Sequence, residues 1–124
     1  MYELSLQTDF AAAHRLREYQ GKCENLHGHN YHVELVLGGR RLNETGMLMD
    51  FKEAKSIAGE VVDRLDHEYL NETEPFDEIN PTTEQIARHI AHEVDARLPE
   101  GVSVRSVTCW ESEKCAARYI PEEA

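Results

Sequence analysis

The stretch Cys23-Glu24-Asn25-Leu26-His27-Gly28-His29 gathers a thiol, a carboxylate and two imidazoles. Side chains alternate along a strand with period two, so His27 and His29 at the start of a strand share one face. Gly28 between them has no side chain, which lets backbone or substrate come close. His14 follows a first strand and can approach from a neighbouring one. Three neutral imidazoles with a fourth position open are a usual ligand set of catalytic zinc, whereas a structural site fills all four, often with thiolates. Against this, a His-x-His pair alone is more often two ordinary surface histidines. His32, His89 and His92 keep that plain reading. His89 and His92 lie one helical turn apart, yet lack the carboxylate-and-histidine set of a metalloprotease.

Other residues could supply protons or grip a substrate. Cys23 lies close to the His-x-His pair, and a thiol beside a metal and a histidine can ionise near neutral pH. Its plain alternative is a small buried apolar residue, the reading preferred for Cys109 and Cys115. Asp66-His67 follows a predicted helix. The aspartate could orient the ring as a base, or the histidine could merely face the helix dipole. Glu111 ends an apolar strand after Trp110, where its carboxylate could accept two hydrogen bonds from a planar amidine-like group or be an edge-strand charge. Thr82 and Thr83 could be no more than a helix cap.

The elements that must position these residues can be read from periodicity. Residues 2–10 have strand character, with Tyr2, Leu4 and Leu6 on one face. Residues 31–37 alternate more clearly, with Tyr31, Val33, Leu35 and Leu37 inward. Gly38-Gly39 is expected to turn the chain, after which a further short strand could reach Met47–Met49. Asp50 and Glu53 have the form of a helix cap, opening an amphipathic helix over 51–65. Residues 66–81 read as loop. A second helix opens at Thr82-Thr83 and stops at Pro99 and Gly101, and strands follow from Val102 toward Trp110 and at 117–120. The expected class is therefore α+β: a four-stranded antiparallel sheet with two helices on one face, in a single domain over 1–124. Its two open edges invite assembly.

The bulk numbers narrow the partners. The 124 residues carry a formal net charge of -11, which disfavours nucleic acid and anionic membranes. No stretch approaches the roughly 18–20 apolar residues of a membrane span. The N-terminus lacks the basic and apolar regions of a signal peptide, so the cytoplasm is the expected compartment. Three cysteines without a CxxC argue for reduced thiols.

Six segments together resemble the 6-pyruvoyltetrahydropterin synthase family, most of all its bacterial 6-carboxytetrahydropterin synthases of queuosine biosynthesis. They are FAAAHRL around His14, CENLHGHNY over 23–31, GMLMDF over 46–51, LDHEYLN over 65–71, NPTTEQIA over 80–87 and WES over 110–112. The resemblance implies a tunnelling fold, in which the sheets of several subunits close into a barrel, commonly as a hexamer of two stacked trimers. It implies zinc on His14, His27 and His29, with Cys23 as the catalytic thiol. Asp66 and His67 would form a partner relay, and Glu111 would anchor the pterin, helped by Thr82 and Thr83. The implied substrate is 7,8-dihydroneopterin triphosphate, giving 6-carboxy-5,6,7,8-tetrahydropterin, acetaldehyde and triphosphate. Lys22, Arg15 and Arg17 are candidate triphosphate cations. Glu24, beside Cys23, is an alternative base, because some relatives use a glutamate near this position to cleave the side chain to 6-hydroxymethyl-dihydropterin for folate synthesis. A non-catalytic pterin-binding module is the remaining alternative.

Overall fold

A computed structural model describes residues 1–17 and 26–122. The strands are β1 (Tyr2–His14), β2 (His27–Gly39), β3 (Glu68–Tyr69), β4 (Ser103–Trp110) and β5 (Ala116–Tyr119); the helices are α1 (Phe51–Asp63) and α2 (Thr83–Asp95). They form one sheet in the order β3-β1-β2-β4-β5. β1, β2, β4 and β5 pair antiparallel, as expected, but β3 adds a fifth strand, parallel to β1. The sheet is therefore mixed. With two residues β3 has no periodicity to read, and it lies in the segment expected to be loop.

The alternation in β2 does what its sequence implies. Tyr31, Val33, Leu35 and Leu37 are all buried, beside Leu6, Phe10 and Ala12 of β1 and Val104, Val107 and Cys109 of β4. Ala54, Ala58, Val61 and Val62 of α1 and Ile86, Ala87, Ile90, Ala91 and Val94 of α2 complete the same core. Residues of opposite parity, among them Gln7, Asp9, His32 and Glu34, give the other face a polar character. Among the described residues, no helix is long and apolar enough to cross a membrane.

Both helices start where the sequence places a cap. Asp50 accepts from the Lys52 backbone N–H, and Thr82 Oγ1 accepts from that of Gln85. Two other expectations fail. Gly38 and Gly39 do not turn the chain but complete β2. A Cβ on Gly39 would lie 2.5 Å from both the Gly101 carbonyl oxygen and Leu48 Cδ1, so the strand end is packed too tightly for a side chain. The turn comes later, where the Asn43 side chain accepts from the backbone N–H groups of Thr45 and Met47 and Gly46 has φ +83°. That side-chain turn replaces ladder bonding, so 47–49 is not a strand and Leu48 and Met49 are buried as a plug.

Candidate metal centre and its surroundings

Three rows of core-facing side chains run along the sheet and change chemistry at one end. In β1, Phe10 and Ala12 are followed by His14; in β2, Tyr31 is preceded by His29 and His27. In β4, Val107 and Cys109 are followed by Glu111. His14 and His27 are cross-strand partners, so the alternation that builds the core also brings three imidazoles and a carboxylate together. His14 is fully buried, and the other three are partly buried.

The distances are those of a metal site. His14 Nε2 lies 3.0 Å from His27 Nε2 and 3.3 Å from Glu111 Oε1, and His29 Nε2 lies 3.2 Å from the same oxygen. One ligand atom from each of the four residues lies within 4.8 Å of all the others. Tetrahedral ligands at about 2.0–2.1 Å from zinc would be about 3.3–3.4 Å apart.

Protonation points the same way. His14 Nδ1 donates to the Pro81 carbonyl oxygen at 2.8 Å, which leaves the Nε2 lone pair facing the cluster. Burial holds His14 below the usual imidazole range, only partly offset by the Pro81 contact. Burial likewise lowers His29, against the pull of Glu111. His29 Nε2 is close to Glu111 but not aligned for a hydrogen bond, and this buried atom has no other partner among the described residues. Three imidazoles of this kind, gathered beside one carboxylate, form a donor set that fits zinc.

Asp66 and His67 form a second constellation, on the edge of β1. Asp66 Oδ1 accepts from the Ala11 backbone N–H at 2.9 Å, and the His67 N–H donates to the Ala11 carbonyl. Asp66 Oδ2 then meets His67 Nδ1 at 3.0 Å, so the carboxylate orients the ring. The Ala11 N–H first, and His67 next, hold the Asp66 carboxyl below its ordinary value. His67 has φ +60°, where glycine or asparagine is the usual occupant, and 81% of its side chain is exposed. A cavity of about 420 Å³ runs beside it, lined by Ala11–Ala13, Gly28, His29 and Asn30. A Cβ on Gly28 would meet only the Ala12 carbonyl oxygen, at an ordinary 3.8 Å. Nothing within the described chain demands glycine there.

The remaining candidates separate. Cys23, Glu24 and Lys22 lie outside the described residues. Thr82 caps α2, and Thr83 begins it beside the Pro81 carbonyl that holds His14. Arg17 does not offer a free cation: its guanidinium donates to the carbonyl oxygens of Asn71, Phe76, Asp77 and Ile79. Arg15 is exposed, with its backbone held by Asn71. The Asn71 side chain accepts from and donates to the backbone of Arg15, and the Asn80 side chain does the same for Arg17. Periodicity gave no sign of these clamps, although both asparagines stand inside quoted motifs. His32, His89 and His92 stay outside the metal-type cluster. Burial pushes the Cys109 thiol up to about 12, with Glu111 adding to it, so Cys109 is a core residue.

With this geometry in place, comparison with known proteins identifies the family. The family model described as 6-pyruvoyl tetrahydropterin synthase matches residues 3–122. A Synechocystis 6-carboxy-5,6,7,8-tetrahydropterin synthase is 36% identical over 125 residues, covering 97% of this chain and 94% of that protein. A Pyrococcus furiosus dihydroneopterin monophosphate aldolase is 35% identical, covering 85% of each. The structure of Caenorhabditis elegans 6-pyruvoyl tetrahydropterin synthase superposes with a TM-score of 0.86 at 27% identity, over 98% of this chain and 96% of that one. The converging imidazoles therefore sit in a fold shared from end to end with pterin enzymes, and the chain belongs to the 6-pyruvoyl tetrahydropterin synthase family.

Proposed function

We propose that this chain is a zinc-dependent 6-carboxy-5,6,7,8-tetrahydropterin synthase. It converts 7,8-dihydroneopterin triphosphate to 6-carboxy-5,6,7,8-tetrahydropterin, acetaldehyde and triphosphate, a carbon–carbon lyase step of queuosine (7-deazaguanine) biosynthesis. The observation that carries this reading is the convergence of His14, His27 and His29 at the open end of the core face. Its support in the comparisons is the name and full-length similarity of the Synechocystis relative.

Zinc held by the three imidazoles would supply Lewis acidity toward the oxygens of the substrate side chain. The other roles belong to the chain. Cys23 takes a proton from the side-chain carbon, and His67, oriented by Asp66, moves protons from the other side. Glu111, helped by Thr82 and Thr83, grips the guanidine-like edge of the pterin and so fixes the reacting atoms. His67 stands on the outer edge of β1 and the imidazoles at the end of the core face, which favours an active site completed between subunits. We therefore assign a hexamer of two trimers. Light scattering tests it: a 14.2 kDa particle that stays fully active on dilution would contradict it.

The second reading is side-chain cleavage to 6-hydroxymethyl-dihydropterin with Glu24 as base, favoured by the similarity to the Pyrococcus furiosus aldolase. The deciding experiment is to feed dihydroneopterin triphosphate to the pure zinc-loaded protein and identify the pterin product by mass spectrometry. The carboxylated pterin supports the first reading, and the hydroxymethyl pterin supports the second. No turnover at all would leave only a pterin-binding module.

A further inference from the structure

On the way from β3 to α2, several backbone carbonyls of residues 71–81 converge on one arginine. The Arg17 guanidinium donates through Nη2 to the carbonyl oxygens of Phe76 at 2.7 Å, Asn71 at 3.2 Å and Asp77 at 3.4 Å, and through Nη1 to that of Ile79 at 3.2 Å. The backbone N–H groups of this stretch bond instead to the carbonyls of Leu70, Thr73, Pro75 and Asn80, and leave those of Phe76, Asp77 and Ile79 to the guanidinium. A rigid planar fork with five donors can serve several acceptors from one point, which a lysine ammonium on a flexible stem does not. Asn71 and Asn80 frame the fork, paired with the backbone of Arg15 and of Arg17. Phe76 is fully buried, so the stretch is fixed to the core as well. Just before the Thr82 cap of α2 comes Pro81, whose carbonyl receives the His14 Nδ1 proton at 2.8 Å.

We infer that Arg17 is a positioning residue of the metal centre: it holds residues 71–81 so that the Pro81 carbonyl fixes the tautomer and direction of the His14 ring. The inference rests on the reading of His14 as a metal ligand and adds a brace to it. The path is short. Arg17 bonds to Ile79, two residues before Pro81, and its backbone is paired with Asn80, the residue between them. His14 and Arg17 are themselves three residues apart, so the run that ends β1 carries both the ligand and its brace. Without the guanidinium, the carbonyls of Phe76, Asp77 and Ile79 lose their donor and the stretch relaxes. The His14 ring then loses its fixed acceptor, the kind of support on which metal affinity depends.

Zinc affinity is read by competition with a chromophoric chelator, on protein that circular dichroism shows to be folded. Arg17→Gln should bind zinc about 10-fold more weakly than wild type. Arg17→Lys keeps the charge without the fork and should stay closer to Arg17→Gln than to wild type. Arg97→Gln is the matched control, because Arg97 bonds Glu93 and Glu60 beyond the opposite end of α2 from Pro81. It should bind zinc as wild type does. The metal-free protein gives a second reading by NMR of isotope-labelled histidine. The ring-proton signal that disappears in His14→Ala should exchange faster with water in Arg17→Gln. If Arg17→Gln does not fold, Arg17→Lys decides by the same two readings. Unchanged zinc affinity and proton exchange in Arg17→Gln, or full wild-type behaviour in Arg17→Lys, would overturn the inference. So would an equal loss in Arg97→Gln, which marks general loosening. A raised KM for the triphosphate with zinc binding intact would also overturn it, and would give Arg17 to the substrate. If wild type binds no zinc, the metal reading fails, and proton exchange still judges the brace.

Discussion

His14 Nδ1 donates to the carbonyl oxygen of Pro81 across 2.8 Å, joining the end of β1 to the entrance of α2. A metal-ligating histidine commonly donates its other ring N–H to such an acceptor, which fixes both tautomer and ring direction. The Tyr31 hydroxyl, 3.3 Å from the same nitrogen, adds a second constraint from the core. His14 is therefore the rigid member of the cluster, while His27 and His29 sit at the start of β2 with part of their surface open.

Metal content should follow these three rings. We expect about one zinc per subunit, and loss of both zinc and activity in His27→Ala or His29→Ala. Elemental analysis of the dialysed proteins checks it. Full occupancy in the double variant His27→Ala/His29→Ala would remove the assignment.

Much of this cluster is legible in the sequence because strand parity is. The alternation Tyr31, Val33, Leu35, Leu37 fixes the core face of β2, and the same parity carries back to His29 and His27. The row Val107, Cys109, Glu111 places the carboxylate on that face too. What parity cannot give is the partner. The sequence offers Glu111 a planar ring edge to grip, and it does not show that the same carboxylate lies beside His14 and His29. The Pro81 contact is made by a carbonyl, which every residue has. β3 is held by Ala12 and Ala13 rather than by any pattern of its own, and the Asn71 and Asn80 clamps depend on tertiary placement.

His67 should show a trade between stability and activity. A residue other than glycine in the left-handed region is strained by about 1–2 kcal/mol, and His67 has φ +60°. In His67→Gly we expect an unfolding midpoint in urea equal to or above that of wild type. Turnover should fall by about 10²–10⁴-fold, the range for a general acid or base. A variant both less stable and fully active would show that this histidine is structural only.

The metal-free protein should lose stability as the pH falls below about 6.5. Burial lowers His89 first of all, with Glu93 opposing and His92, Arg64 and Arg97 assisting. Its ring packs edge-on against Phe76, 5.3 Å between centroids. A depressed folded pKa means that the unfolded chain takes up its proton first. Stability is therefore full above the unfolded value of 6.5 and is lost as the pH drops from there toward the folded value. His14 and His29 act in the same direction. Urea midpoints measured above and about one unit below pH 6.5 should differ less in His89→Gln than in wild type. An equal difference would mean that His89 takes no part.

The last expectation separates the two proposed reactions through Cys23 and Glu24. By sequence parity Cys23 falls an even number of residues before His27 and His29 and shares their face in an extended segment, whereas Glu24 falls on the other. On the proposed reading the thiol is the base of the zinc-dependent synthase. Cys23→Ala should lose formation of the carboxylated pterin by about 10²–10⁴-fold, and Glu24→Ala should lose far less. Both variants should keep their zinc, because neither residue belongs to the three-imidazole set, so a drop in rate can be assigned to proton transfer. The measurement feeds dihydroneopterin triphosphate to wild type and both variants and separates the pterins by chromatography. If Cys23→Ala stays active and releases 6-hydroxymethyl-dihydropterin while Glu24→Ala is dead, the carboxylate is the base. The aldolase-like cleavage then replaces the synthase reaction.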